Sequence, residues 1–178
     1  MYNTSCFKTY DIRGRVGDNL DTPLAFRIGR AYARVMAPHT VVLGRDARDS
    51  SPELRDALAE GLAVEGVNVF DIDLCGTEEV YFATDHLCAG GGMMVTASHN
   101  PIGDNGIKLV GPNARPISRA NGLDRIEELT ASADFGDVAD RPGILRRVDV
   151  RAAYAERVLS FVDTSRLATF NVVVNAGN

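Results

Sequence analysis

The chain has 178 residues, 45% hydrophobic and 24% charged, with a formal net charge of −5. That is enough chain for one domain with a proper core and an ordinary soluble balance; the acidic charge, with no Lys/Arg block, argues against bulk nucleic-acid binding. No apolar run approaches the ~20 residues of a membrane-spanning helix, no basic segment followed by an apolar core opens the chain, and Cys6, Cys75 and Cys88 fit a reducing cytoplasm better than a disulfide framework or a metal site.

Tyr10-Asp11-Ile12-Arg13-Gly14 reads as a short strand that turns at glycine. Arg13 is either a plain surface arginine or a planar fork for phosphate. Thr22-Pro23 opens a helix, a capping hydroxyl followed by proline at the first helical position. Leu24, Ile28, Ala31 and Val35 recur on one face, and Pro38 lies beyond the end. Val41-Val42-Leu43 is a short buried strand running into a charged loop, where Arg45 and Asp46 are placed to brace neighbouring loops as an ion pair. Ser51-Pro52 opens a second helix with an apolar stripe of Leu54, Ala57, Leu58, Gly61 and Leu62, stopped by Gly66. Residues 67–72 read as a strand. Strand, helix, strand points to parallel pairing with helical crossovers.

After Cys75-Gly76-Thr77 a helix is predicted over 78–86. Its Glu78-Glu79 pair suits a first turn electrostatically and carries little acid/base weight. Gly90-Gly91-Gly92 lacks the Gly-Lys-Ser/Thr ending of a P-loop and precedes a strand, so it reads as a flexible turn into Met93-Met94-Val95. Residues 107–110 and 115–117 flank Gly111-Pro112-Asn113-Ala114, a hairpin signal that makes the sheet mixed. A helix with Leu123, Ile126 and Leu129 follows, then a loop over 132–143. A last helix carries Val150, Tyr154, Val158 and Phe161 on one face, and Phe170-Asn171-Val172-Val173-Val174 reads as a buried strand. The whole is an α/β fold with a mixed, mostly parallel sheet.

The stretch that carries chemistry is Thr96-Ala97-Ser98-His99-Asn100-Pro101, between the strand at 93–95 and Asp104-Asn105-Gly106-Ile107-Lys108. Pro101 and the Asp-Asn-Gly cluster read as a loop. A serine is thus presented near the C-terminal end of a strand, where open α/β sheets place ligands. Ser98 is a weak nucleophile unless activated. His99 exchanges protons near neutral pH, and Lys108 can neutralise a phosphate as a point charge. A Ser-His-Asp hydrolase fits poorly. Adjacent side chains on extended backbone point apart, and no Gly-x-Ser-x-Gly elbow surrounds Ser98. A plain polar loop capped by Asn and Pro is the other local reading.

The hexapeptide resembles the phosphoserine loop of the α-D-phosphohexomutases, the phosphomannomutase/phosphoglucomutase family. Phe7-Lys8-Thr9-Tyr10-Asp11-Ile12-Arg13-Gly14 resembles the family's first signature, Gly44-Arg45-Asp46-Ala47-Arg48 its second block, and Asn105-Gly106-Ile107-Lys108 the segment with its active-site lysine. Residues 76–84 and 114–118 are similar to the bacterial phosphomannomutase branch, and the blocks occur in family order.

The resemblance implies a three-layer α/β/α first domain over 1–148, then a connecting helix and the first strand of a truncated second domain over 149–178. It implies interconversion of hexose 1- and 6-phosphates, mannose before glucose, through a 1,6-bisphosphate, with glucose 1,6-bisphosphate as activator. Ser98 matches the phosphoryl carrier, and its phosphate implies a ligand for Mg²⁺, whose other ligands lie outside this chain. Lys108 and Arg13 match groups that stabilise the moving charge, one of them also moving protons. His99 assists, Asn100 shapes the loop, and Tyr10 lines the cleft. The isolated piece is expected to lack turnover. A non-catalytic sugar-phosphate binding module and a serine hydrolase stay open as alternatives; Thr96 disfavours a phosphoglucosamine mutase.

Overall fold

The computed structural model describes residues 2–175. Six strands and five α-helices follow one another: β1 (Ile12–Arg15), α1 (Thr22–Met36), β2 (Thr40–Arg45), α2 (Ser51–Val64), β3 (Asn68–Leu74), α3 (Thr77–His86), β4 (Gly91–Val95), β5 (Asp104–Val110), α4 (Leu123–Ser132), β6 (Leu145–Arg147) and α5 (Arg151–Leu159). The strands form one sheet in the order β1-β5-β4-β2-β3-β6. β2 pairs in parallel with β3 and β4, and β3 with β6. β5 runs against both of its neighbours, β4 and β1. The sheet is therefore mixed and mostly parallel, as expected.

Period-two alternation distributes the strand side chains between two cores. Val41, Leu43, Met93, Val95, Ile107 and Leu109 join the cluster under α1, α2 and α4. Val42, Met94 and Ile72 point the other way, into the cluster under α3 with Val150. Both faces are covered, which is why these strands read as continuous apolar runs. The result is the three-layer α/β/α arrangement.

Several local expectations are corrected. Asp21, not Thr22, caps α1: its Oδ1 accepts the Leu24 N–H at 2.8 Å, leaving Thr22 and Pro23 inside the first turn. Gly91 and Gly92 are not a flexible turn but the start of β4. A side chain at Gly91 would collide with the Tyr32 hydroxyl, and one at Gly92 with that of Thr84. Asp104-Asn105-Gly106 is not loop but the start of β5. Antiparallel pairing with β1, Gly106 opposite Arg13, Asn105 opposite Gly14 and Asp104 opposite Arg15, outweighs its turn chemistry. The buried Asn105 amide donates to the Ser50 and Ser51 hydroxyls at 2.8 and 2.9 Å.

The second arm of the expected hairpin is an isolated bridge between Val110 and Pro116, because proline has no N–H to extend a ladder. The antiparallel character comes instead from β5 lying between β4 and β1. β6, inside the tract following the predicted loop, was not anticipated; its three residues are exposed and polar apart from Leu145. α5 stops at Leu159, so Phe161 lies beyond the helix, beneath the Arg157 guanidinium at 4.6 Å. Residues 170–174 are exposed and in no strand; among the described residues no neighbour offers them a ladder. The last three positions of the expected second-domain segment, 176–178, lie outside the described residues.

Candidate active site

β4 delivers Thr96 and Ala97, both buried, and then the chain emerges at Ser98. Three short bonds shape the turn. The Ser98 N–H donates to Thr96 Oγ1 at 2.9 Å, the Asn100 N–H to the Ala97 carbonyl at 3.1 Å, and the Asp104 N–H to the Pro101 carbonyl at 2.9 Å. Ser98 has φ 57°, in the left-handed region that non-glycine residues seldom occupy. This overturns one expectation. The backbone at Ser98 is not extended, so neighbouring side chains do meet, with Ser98 Oγ 3.3 Å from His99 Nδ1. Both are exposed. His99 has no carboxylate partner among the described residues, so a Ser-His-Asp relay is still missing its third member.

The cationic side of the site comes from β1 and β5. Arg13 Nη1 donates to Asn100 Oδ1 at 2.8 Å and approaches the Ala97 carbonyl at 3.4 Å, while its Nε donates to Asp11 Oδ2 at 2.8 Å. The same Asp11 oxygen lies 3.4 Å from Lys108 Nζ. The antiparallel register pairs Ile12 with Ile107 and, continued by one residue, sets Asp11 opposite Lys108. Thus Arg13, Asn100 and Lys108 are brought to the serine loop, Lys108 through Asp11. Tyr10 is 76% exposed on the bend before β1 and bonds to none of them. Burial, with the carboxylates of Glu78 and Asp11 adding to it, pushes the nearby Tyr81 hydroxyl up.

The expected Arg45–Asp46 ion pair does not form. Arg45 turns to Asp73 at the end of β3 at 2.7 Å, and Asp46 turns to Arg48 at 3.3 Å. The reason is the parallel pairing of β2 with β3, which sets Arg45 beside Leu74 at the strand ends. Arg48 instead reaches into the serine loop and donates to the carbonyls of Ser98 and Asn100 at 3.0 and 2.7 Å. A groove of about 510 Å³ opens between Asp46, Arg48 and Asp49 on one side and Ser98, His99 and Ile102 on the other. Asp11 and Arg48 are therefore the residues that sequence reasoning missed. Asp11 had a signal, since it alternates with Arg13 on one strand face. Arg48 had only its place in a charged loop after a strand, at the end of the block that resembles the family's second signature.

An exposed serine at a strand end, with a histidine against its hydroxyl, lies beside an arginine and a lysine tied together by one carboxylate, donors whose charge suits an anionic group. Residues 4–137 match the family model described as phosphoglucomutase/phosphomannomutase, alpha/beta/alpha domain I. The chain belongs to the phosphoglucomutase/phosphomannomutase family. It is 49% identical to a phosphomannomutase of Salmonella montevideo over 179 residues, which covers 100% of this chain and 39% of that protein. It is 52% identical over 172 residues to a protein named phosphohexose mutases in Xanthomonas campestris pv. campestris, covering 97% of this chain and 38% of that one.

Among solved structures, the phosphoglucomutase/phosphomannomutase family protein of Burkholderia thailandensis superimposes with a TM-score of 0.81. It has 33% identity to this chain and covers 93% of it, and 38% of its own length is matched. The chain thus spans about two-fifths of the curated relatives it matches, and residues 4–137 are domain I of the phosphoglucomutase/phosphomannomutase family.

Proposed function

We propose that this chain is the phosphoryl-carrier domain of an enzyme that interconverts hexose 1- and 6-phosphates, mannose phosphates foremost and glucose phosphates second. The observation that supports it is Ser98, held outward on a left-handed backbone with His99 Nδ1 at 3.3 Å and the Arg13–Asp11–Lys108 group beside its loop.

When the serine is loaded, the bond from phosphorus to the donor sugar oxygen breaks and a bond to Ser98 Oγ forms. The Ser98 proton passes to His99, and the released sugar oxygen takes up a proton. In the forward transfer the Ser98 Oγ–P bond breaks, a sugar hydroxyl takes the phosphoryl group and gives up its proton, and Ser98 Oγ regains one from His99. The sugar bisphosphate then turns and returns its other phosphate to Ser98. Arg13 and Lys108 offset the charge on the moving phosphoryl, which is the main task of a protein in this chemistry. Asn100, fixed to Arg13, holds the loop edge against the sugar, and Tyr10 offers a ring to the cleft.

Mg²⁺, generally required in this family, would take one oxygen from phosphorylated Ser98 and offset charge during transfer. Among the described residues no group of three or more His, Cys, Asp or Glu side chains is placed to hold a metal. This domain therefore fits the ion as the donor of one ligand and not as its whole site, and the remaining ligands belong to the part of the relatives that it does not span. In this reading residues 1–148 form the carrier domain and 149–178 lead into a second, so the chain alone lacks turnover. No helix among the described residues is long and apolar enough to cross a membrane. A cytoplasmic setting is part of the same proposal, and the three free cysteines are in keeping with it.

The test is intact-mass spectrometry after incubation with glucose 1,6-bisphosphate and Mg²⁺. One added phosphate mapping to Ser98, and absent from Ser98→Ala, is the expected result. A chain that stays unmodified both alone and when joined to the rest of its reading frame overturns the assignment and favours a sugar-phosphate binding module.

A further inference from the structure

Arg48 differs from the other arginines of the site in how it spends its donors. A guanidinium has five N–H groups. Nη1 of Arg48 donates to the carbonyls of Pro101 and Asp104 at 2.8 and 3.0 Å. Nη2 donates to those of Ser98 and Asn100 at 3.0 and 2.7 Å. The remaining N–H, on Nε, faces Asp46 Oδ2 at 3.3 Å. Both terminal nitrogens are thus committed to loop carbonyls and Nε is ion-paired with Asp46, which leaves the fork of Arg48 turned to the protein and not to a substrate phosphate. Arg13, by contrast, uses Nε and Nη1 and keeps Nη2 without a bond among the described residues.

The turn that carries Arg48 is itself held. Asp46 Oδ1 accepts the Arg48 backbone N–H at 3.0 Å and the Ser51 hydroxyl at 2.5 Å. Ser51 Oγ accepts from the buried Asn105 amide at 2.9 Å, and Asn105 Oδ1 accepts the Gly106 N–H at 2.8 Å. One line of hydrogen bonds therefore runs from the strand that carries Lys108, through the start of α2, to the serine loop.

We propose that Arg48 is the positioning residue of the serine loop: its guanidinium gathers the carbonyls of Ser98, Asn100, Pro101 and Asp104 and so fixes the left-handed backbone that presents Ser98 Oγ beside His99. The proposal rests on the reading of Ser98 as phosphoryl carrier. Four carbonyl dipoles aimed at one point repel one another unless a cation sits between them. A left-handed serine persists only where its surroundings over-determine it. Lysine cannot take the place of Arg48, because its three donors sit on one atom and do not span the loop as a planar fork does.

Amide hydrogen exchange and Ser98 phosphorylation by glucose 1,6-bisphosphate, on the same protein, test this. Arg48→Met is expected to speed exchange at the Ser98, Asn100 and Asp104 amides about tenfold while β4 and the interior of α2 stay protected. Its phosphorylation rate at saturating donor should fall about 10²-fold, with the half-saturating donor concentration unchanged, because geometry and not binding is lost. Arg48→Lys should recover less than half of either effect, and millimolar ethylguanidine should restore both in Arg48→Ala. Unchanged loop exchange in Arg48→Met, or equal acceleration throughout β4 and α2, overturns the proposal. If Arg48→Met does not fold, Arg48→Lys, which keeps charge and stem, is read by the same two criteria. If the wild-type protein takes up no phosphate either alone or when joined to the rest of its reading frame, the carrier reading of Ser98 fails by itself, and the exchange data still decide whether Arg48 positions the loop.

Discussion

Lys108 Nζ lies 3.4 Å from Asp11 Oδ2, the same oxygen that accepts Arg13 Nε at 2.8 Å. One carboxylate thus steadies two cations that would otherwise repel, and it also cancels part of their field. These two effects separate in Asp11→Asn, which keeps the shape and removes the charge. Affinity for inorganic phosphate should rise about threefold as the cations lose their counter-charge. Phosphorylation of Ser98 should slow about tenfold as Arg13 and Lys108 lose a fixed geometry. Calorimetric titration with phosphate and the rate of mass gain measure the two. Weaker phosphate binding in Asp11→Asn would show that Asp11 acts only by holding the cations in place.

Gly92 sits in the centre of the sheet with no room for a side chain. A Cβ there would press on the Thr84 hydroxyl and lie 3.1 Å from both Val110 Cγ2 and Val80 Cγ1. Thr84 Oγ is itself fixed, donating to the Val80 carbonyl at 2.7 Å inside α3. Gly92→Ala should destabilise the protein by about 1–3 kcal/mol through overpacking. Adding Thr84→Ala removes the nearest atom, so the double variant should be more stable than the sum of the two single changes. Urea denaturation of the four proteins tests this, and strict additivity would mean that the clash is relieved elsewhere.

The same region shows what a single sequence can convey. Val41-Val42-Leu43 and the stripe of α2 were readable because burial on both strand faces, or on one helix face, writes itself into local periodicity. Asp104-Asn105-Gly106 reads as loop because its turn chemistry is local, whereas what makes it a strand is pairing with β1 and the bonds of Asn105 to Ser50 and Ser51. Ser98, Arg13, Asn100 and Lys108 were reachable through resemblance to family motifs. The contact between Ser98 and His99 was not, since it depends on one backbone angle. Arg48 was hidden for a further reason: its partners are carbonyls that begin fifty positions later at Ser98. Backbone acceptors leave no residue-type signature.

The cap of α1 offers a clean stability test, because sequence and structure name different residues. Thr22 has the hydroxyl and precedes Pro23, yet Asp21 supplies the oxygen that accepts the Leu24 N–H at 2.8 Å. Asp21 has an extended backbone, as a capping residue requires, and its charge also faces the positive end of the helix. Asp21→Ala should cost about 1 kcal/mol, within the range of capping losses. Thr22→Ala, inside the first turn, should change stability by no more than about 0.5 kcal/mol, as surface substitutions do. Equal losses in chemical denaturation would return the capping role to Thr22.

Two sheltered thiols, Cys6 buried and Cys75 partly buried, give the protein an alkaline limit. Burial first of all pushes Cys6 up from 9.0 to about 11. Burial, with the Glu79 carboxylate next, pushes Cys75 up to about 12. In the unfolded chain both thiols ionise near their ordinary value, so between pH 9 and about 11 the unfolded state sheds protons that the folded state keeps. By linkage, stability then falls as pH rises. Below pH 9 both states hold these protons and the contribution is complete. Urea midpoints should therefore decline from pH 9 upward, and the decline should be shallower when Cys6 and Cys75 are both replaced by alanine, whatever the offset in absolute stability. The thiolate is the nucleophile, so iodoacetamide at pH 8 should label exposed Cys88 well before the other two. Prompt labelling of Cys75 in the folded protein would show that the β3–α3 junction opens readily, and would remove its share of the alkaline slope.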